Sequence, residues 1–389
     1  MRFKYMDSKG MFVSPIKARE FARNNGIAMT MPGTFRQKSP THSRHIDQAC
    51  GVQAIPQEIS IKLLSNITKK RRALLIGVNS QDGSYLAELL LERGYEVLGL
   101  VRRTGNGCVD NIRHILSHIH VERADLSDTA SLWNQIKVFQ PNEVYNLASI
   151  SHVYRSVEQP DCPFDIPANK AIMFVIRLLE GIRASNANSK FYQDSSGEMF
   201  GDVAPPQNEE TQFNPRSPYA IAKLAGYHIT RLYRCTYKIF ACNGILFDHE
   251  SPRQGEDVIA RKIVRHVVEI KLGRRTFIEV GNLDARRDWG YAKEYVDAMW
   301  RIMQHYTAED FVIGTGETYS VKEFLEEVLS RCGLTSDCVR TSEKLLRSSG
   351  TCALRVDSSK ARTVLGWEPK VKFRDLVDLM VEEELKRYK

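Results

Sequence analysis

The chain has 389 residues, 42% of them hydrophobic, and a formal net charge of +8. That length gives one large or two ordinary domains with ample core to bury, so stability alone does not require an oligomer. The charge is uneven: residues 1–72 hold 14 Lys/Arg against 4 Asp/Glu, which leaves the remainder slightly acidic and argues against a nucleic-acid-binding face on the globular part.

No run approaches the roughly 18 apolar residues needed to span a bilayer, and the N-terminus lacks an apolar signal core. A soluble, cytoplasmic protein without membrane contact is expected. Cys50, Cys108, Cys162, Cys235, Cys242, Cys332, Cys338 and Cys352 form no CxxC pair and have no His at ligand spacing, so they read as reduced structural thiols, not as a metal site or disulfide framework.

Residues 1–70 read as a basic extension without sustained periodicity, a disordered or loosely docked arm. A basic, acid-poor leader also fits a transit peptide, although Asp7, Glu20, Asp47 and Glu58 weaken that reading. From residue 73 strands and helices alternate. Ala73–Gly77 is a buried-strand run, Tyr85–Arg93 has helical spacing closed by Gly94, and Glu96–Val101 is a second strand. His120–Arg123, Glu143–Ala148 and Lys190–Asp194 follow as strands, with helices predicted over Phe174–Ile182 and Tyr219–Tyr233. This order predicts an α/β fold, a doubly wound parallel sheet of Rossmann-like type over 71–250. The shorter, mixed elements of 251–389 predict mainly a smaller C-terminal α/β substrate-binding lobe over the strand ends.

Gly77-Val-Asn79-Ser-Gln81-Asp82-Gly83 lies where strand gives way to helix, the place for a dinucleotide-binding turn, with Ser80 in place of a middle glycine. Strand two ends in Arg102-Arg103 instead of an acid, which favours the extra phosphate of NADP. Asp125 and Leu126 follow the third strand, placed to meet an adenine. Leu147 and Ser149 close the fourth, on the nicotinamide ribose side.

Tyr219-Ala-Ile-Ala-Lys223 puts a phenol and an ammonium one helical turn apart on one face. The ammonium favours the phenolate, which makes the tyrosine a candidate base for an alcohol. Ser196 and Glu198 stand just upstream, in Ser195-Ser-Gly-Glu198.

With these residues the chain resembles the extended short-chain dehydrogenases/reductases, and within them the GDP-mannose 4,6-dehydratases. The resemblance spans about 72–389. It rests on Gln81-Asp-Gly-Ser-Tyr-Leu-Ala-Glu88, Tyr145-Asn-Leu-Ala148, Ser151-His-Val153, Ser217-Pro-Tyr-Ala-Ile-Ala-Lys223, His249-Glu-Ser-Pro-Arg253, the Gly281–Lys293 segment and Leu365-Gly-Trp-Glu-Pro369. It implies a lyase that oxidises C4 of GDP-mannose, eliminates water across C5 and C6 and returns the hydride to C6. Tyr219 and Lys223 would then serve the C4 oxidation and Glu198 would take the C5 proton, while Ser196 orients the C4 oxygen. His249 would join the cofactor residues, and Ser151, Asp248, Glu250, Lys262, Arg287 and Arg347 the substrate residues. A homodimer or homotetramer is implied as well.

Several departures fall on binding positions. The family's asparagine is Asp248 here, the arginine expected after Arg253 is Gln254, Phe174 stands at a glycine position, and Arg347-Ser-Ser-Gly-Thr-Cys352 loses two acids. Asp248 would place a negative charge near the diphosphate unless it is protonated or paired. These changes keep open a different nucleotide sugar, an epimerase outcome or a weakly active partner subunit.

Overall fold

The computed structural model describes residues 5–6, 12–13, 70–102, 109–125, 128–148, 169–185, 188–342, 345 and 354–388. The chain divides into two units, Met1–Asn66 and Ile67–Lys389. In the first, β1 (Tyr5–Met6) and β2 (Phe12–Val13) form a short antiparallel pair.

The second unit is built on alternating elements: β3 (Arg72–Ile76), α1 (Gln81–Glu92), β4 (Glu96–Arg102), β5 (His120–Ala124), α2 (Thr129–Phe139), β6 (Glu143–Asn146), α3 (Asn169–Ala184), β7 (Lys190–Ser196), α4 (Pro218–Tyr237) and β8 (Ala241–Leu246). The predicted strands and helices are all present, most extended by a residue or more at one end. Central strands are buried on both faces, as the continuous run Ala73-Leu-Leu-Ile76 requires. Each such side chain contributes roughly 1.5–3 kcal/mol when fully buried.

The seven strands lie parallel in the order β13-β8-β7-β6-β3-β4-β5. Chain direction across the sheet reverses between β3 and β6, so a crevice opens beyond their C-terminal ends, where ligands bind in such sheets. Phe174 causes no separation of α3 from the sheet; it is buried with Leu74, Ile76 and Leu178 in one apolar layer.

After residue 248 come β9 (His249–Glu250), α5 (Ile259–Lys271), β10 (Ile278–Val280), β11 (Arg286–Arg287), β12 (Gly290–Tyr291), α6 (Ala292–Gln304), β13 (Phe311–Ile313), β14 (Tyr319–Ser320), α7 (Val321–Cys332), β15 (Val339–Thr341) and α8 (Phe373–Lys386). The lobe expected over 251–389 is therefore not contiguous. β13 pairs with β8 from Phe311 opposite Gly244, and α6 packs Val296, Met299 and Ile302 into the layer that holds Leu86 and Leu90 of α1. The remaining elements make a second core: α5, α7 and α8 close on Trp289, and the Tyr319 and Phe373 rings stack at 3.8 Å. Arg261 of α5 and Glu384 of α8 pair while fully buried inside it. Among the described residues no helix is long and apolar enough to cross a membrane.

Candidate active site

The strand-to-helix turn after β3 has the shape that a pyrophosphate requires. Gly77 adopts φ +84°, a region costly for any residue with a Cβ. A Cβ on Gly83 would lie 2.2 Å from the Gly77 carbonyl oxygen, so glycine alone lets α1 approach the turn this closely. Ser80 does not crowd the turn: it is the N-cap of α1, its hydroxyl accepting the Gly83 N–H at 3.0 Å. The residues thus fit a dinucleotide at the N-terminus of α1. Leu147, buried at the end of β6, donates its N–H to Ile76 and closes the other wall. Arg102 is exposed at the end of β4, and Asp125 is exposed after β5.

Three predicted cofactor side chains, Gln81, Asp82 and His249, are engaged with the protein itself. Gln81 donates to the His249 carbonyl at 2.9 Å and accepts from Ser251 at 2.7 Å, which docks the His249–Arg253 segment on α1. Arg253 completes the docking through Ser84 and Glu88, with its guanidinium 4.0 Å above the Tyr85 ring. Asn111 donates to the Asn79 carbonyl and to the Arg253 carbonyl, joining the turn to the same segment.

His249 Nε2 stands 2.9 Å from Asp82 and Nδ1 2.7 Å from the Phe247 carbonyl. Two acceptors, one at each ring nitrogen, favour the imidazolium. Burial opposes that charge, but the Asp82 carboxylate outweighs it and pushes His249 up to about 9. The ring stacks on Tyr295 at 4.7 Å.

The residues expected from the sequence to carry the chemical step meet where β7 ends. Ser196, the last residue of β7, caps a short 3-10 turn over Gly197–Phe200 by accepting the Glu198 N–H at 3.2 Å. That turn presents Glu198 towards Arg287, at 3.8 Å. α4 starts one turn before Lys223: Ser217 caps it, Pro218 occupies its first turn, and Tyr219 follows. Lys223 Nζ lies 5.8 Å from the centre of the Tyr219 ring. Motif reading missed its strongest partner, Asp194, whose carboxylate is 2.6 Å away and whose carbonyl is 2.9 Å away. Burial works against the ammonium, yet Asp194 and then Tyr219 outweigh it and push Lys223 above the ordinary lysine range.

The opposite wall is the Arg286–Gly290 segment. Buried Asp288 anchors it by accepting from Thr315 N, Thr315 Oγ1 and Gly316 N at 2.7–2.8 Å and from Val356 N at 3.2 Å. So anchored, Arg287 reaches Asp248 at 3.2 Å as well as Glu198. The charge introduced by Asp248 is therefore paired. Glu250 lies below, fully enclosed, its Oε2 without a hydrogen-bond partner among the described residues. Burial, then the Asp248 charge, pushes its carboxyl up to about 8, with Gln254 hydrogen-bonded to it. Lys262 sits on α5 among Glu279, Arg275 and Asp257, and burial lowers it. Arg103, Leu126, Ser149, Ser151 and Arg347 lie outside the described residues.

A family model described as GDP-mannose 4,6 dehydratase matches residues 74–380. GDP-mannose 4,6 dehydratase 1 of Arabidopsis thaliana is 46% identical over 335 residues, covering 82% of this chain and 92% of that protein. The Homo sapiens GDP-mannose 4,6 dehydratase is 41% identical over 342 residues, 80% of this chain and 91% of that protein. Among solved structures, DesIV, a dTDP-glucose 4,6-dehydratase from Streptomyces venezuelae with NAD and TYD bound, superposes with TM-score 0.73 at 20% identity, covering 82% of this chain and 97% of that one. UDP-glucose 4-epimerase from Thermotoga maritima does so with TM-score 0.73 at 24% identity, covering 82% and 100%. Both likenesses concern the fold. With the family model spanning most of the chain and relatives above 40% identity, the chain belongs to the GDP-mannose 4,6-dehydratase family.

Proposed function

We propose that the chain is an NADP-dependent lyase that converts GDP-mannose to GDP-4-dehydro-6-deoxy-mannose. The observation that carries this reading is the convergence of Ser196, Glu198, Tyr219 and Lys223 at the C-terminal end of β7, with Arg287 across from them. An enzyme that only inverts C4 has no use for a carboxylate such as Glu198 at C5.

The Gly77–Gly83 turn would hold the cofactor's pyrophosphate, with Gln81 and Asp82 contributing through the main chain at the start of α1. Arg102 and Arg103 serve its extra phosphate. Bound there, NADP would supply the hydride acceptor for C4 and the hydride donor for C6, so the redox change would close within one turnover. Tyr219 accepts the C4 hydroxyl proton, with Lys223 as its cation. The Ser196 hydroxyl orients the C4 oxygen. Once C4 is a ketone the C5 hydrogen is acidified, and Glu198 removes it as the C6 hydroxyl leaves as water. Arg287 serves the diphosphate and faces Glu198, so substrate seating and the elimination base share one cation.

We further infer a homodimer. Met173 of α3 and Ile221 and Leu232 of α4 are 43%, 48% and 57% exposed, apolar side chains on two helices packed together that a second copy would cover.

The test is direct: purified protein with NADP and GDP-mannose should yield a product lighter by one water, seen by mass spectrometry. An unchanged mass after prolonged incubation overturns the function.

A further inference from the structure

Asp194 is a carboxylate that the proposed mechanism does not use, yet it makes the closest contact of the catalytic lysine. Its Oδ2 lies 2.6 Å from Lys223 Nζ, and its carbonyl oxygen accepts a second N–H of the same ammonium at 2.9 Å. An ammonium has three donors, so one remains for all other partners. The pair is shielded, with side-chain exposures of 9% for Lys223 and 14% for Asp194. Tyr219, its ring centre 5.8 Å from the same Nζ, shares this cation with the carboxylate.

The charged groups facing Asp194 come from three elements. Lys223 projects from α4, Asp82 from the first turn of α1 and His249 from β9. Asp82 and His249 are paired with each other at 2.9 Å. The cluster therefore holds two cations and two carboxylates before Tyr219 ionises, and Tyr219 ionises into a neutral set, not a positive one. Without Asp194 the set would carry a net positive charge, which favours loss of the proton that Tyr219 and Lys223 share.

We propose that Asp194 is a positioning residue that holds Lys223 and, through its charge, raises the pH at which the Tyr219–Lys223 pair releases its proton. This rests on the assignment of Tyr219 as the base in C4 oxidation. The sign does not depend on which partner carries the last proton: removing a nearby negative charge makes its departure easier from either.

The experiment uses Asp194→Asn, which keeps the shape and a hydrogen-bond acceptor for Lys223, with Asp194→Ala alongside in case one variant folds poorly. Tyrosinate ultraviolet absorbance of the full-length protein with NADP is titrated against pH. The Tyr219→Phe counterpart is subtracted from each background, so the difference reports Tyr219 alone. Loss of Asp194 should move this difference titration to lower pH by about one unit or more. The rising limb of the kcat profile for C4 oxidation should move with it, equivalent to roughly a tenfold gain on that limb. Superimposable titrations overturn the inference. An active enzyme with an unmoved titration removes the role of Asp194 and leaves the function standing; a moved titration in a protein that never dehydrates GDP-mannose does the reverse.

Discussion

Arg287 Nε stands 3.2 Å from Asp248 Oδ2, a pair in which the guanidinium is nearly buried and the carboxylate partly open. An anionic substrate group that engages Arg287 must therefore share it with, or take it from, a carboxylate already in place. Charge-assisted hydrogen bonds contribute about 1.5–3 kcal/mol, and 1.4 kcal/mol is tenfold in affinity. Asp248→Asn should accordingly lower KM for GDP-mannose roughly tenfold and change kcat less. Steady-state kinetics on the two proteins decide it; a KM that rises would mean Asp248 helps seat the substrate.

Glu198 and Tyr219 should separate the two halves of the reaction. Tyr219→Phe removes the proposed proton acceptor for C4 oxidation, so NADPH should not appear even in a single turnover. Glu198→Gln keeps the oxidation machinery but lacks the proposed C5 base, with an expected loss of about 10²–10⁴-fold in water elimination. Its mark is NADPH absorbance that accumulates without a dehydrated product. Dehydration at the wild-type rate in Glu198→Gln would assign the C5 proton to another group.

Glu250 makes stability depend on pH. Its folded-state carboxyl is raised to about 8 from 4.5, so the folded protein keeps a proton that the unfolded chain has released between those values. The site consequently subtracts stability as pH climbs through that interval, by at most about 5 kcal/mol. Glu250→Gln abolishes the titration, and its melting temperature should gain on the wild type as pH rises from 4.5 to about 8. Parallel melting curves across that range would show that Glu250 is not held protonated.

Gly83→Ala and Ser80→Ala probe the turn in different ways. The alanine methyl at 83 meets the Gly77 carbonyl oxygen at 2.2 Å and the Val78 Cα at 2.8 Å, both backbone atoms that cannot step aside. It should cost roughly 1–3 kcal/mol of stability and abolish NADP retention. Ser80→Ala deletes only the N-cap hydroxyl, about 1 kcal/mol, and should keep the cofactor. Thermal melts with and without NADP distinguish the two, and equal NADP affinity in both variants would remove the close-packing role of Gly83.

Much of this architecture was legible in the sequence because its signals are local. The Ala73–Ile76 apolar run, the glycine at 77 and the helical spacing of Tyr219–Tyr233 each announce their structure within a few residues. Asp194 was not legible for the opposite reason: its partner Lys223 lies 29 positions away on another element, and a carboxylate at the end of a strand gives no period to detect. The pairing of Asp248 with Arg287 was posed as a condition by the sequence and met only by the fold, since it depends on Asp288 pinning the neighbouring turn. β13 escaped because three residues, Phe311–Ile313, are too few to show periodicity and take their place only by pairing with β8.

That short strand bears on how such an enzyme changes substrate over evolutionary time. The polypeptide leaves the sheet after β8, supplies Arg287 to the cleft wall, returns as α6 and β13 to complete the sheet, and leaves again for α7 and α8. A crossover that exchanged everything beyond residue 250 with a relative would carry away an edge strand and the helix seated on α1. Recombination of whole modules is thereby disfavoured, and new nucleotide preferences in this architecture are expected to arise by single replacements on the walls, of which Asp248 is one.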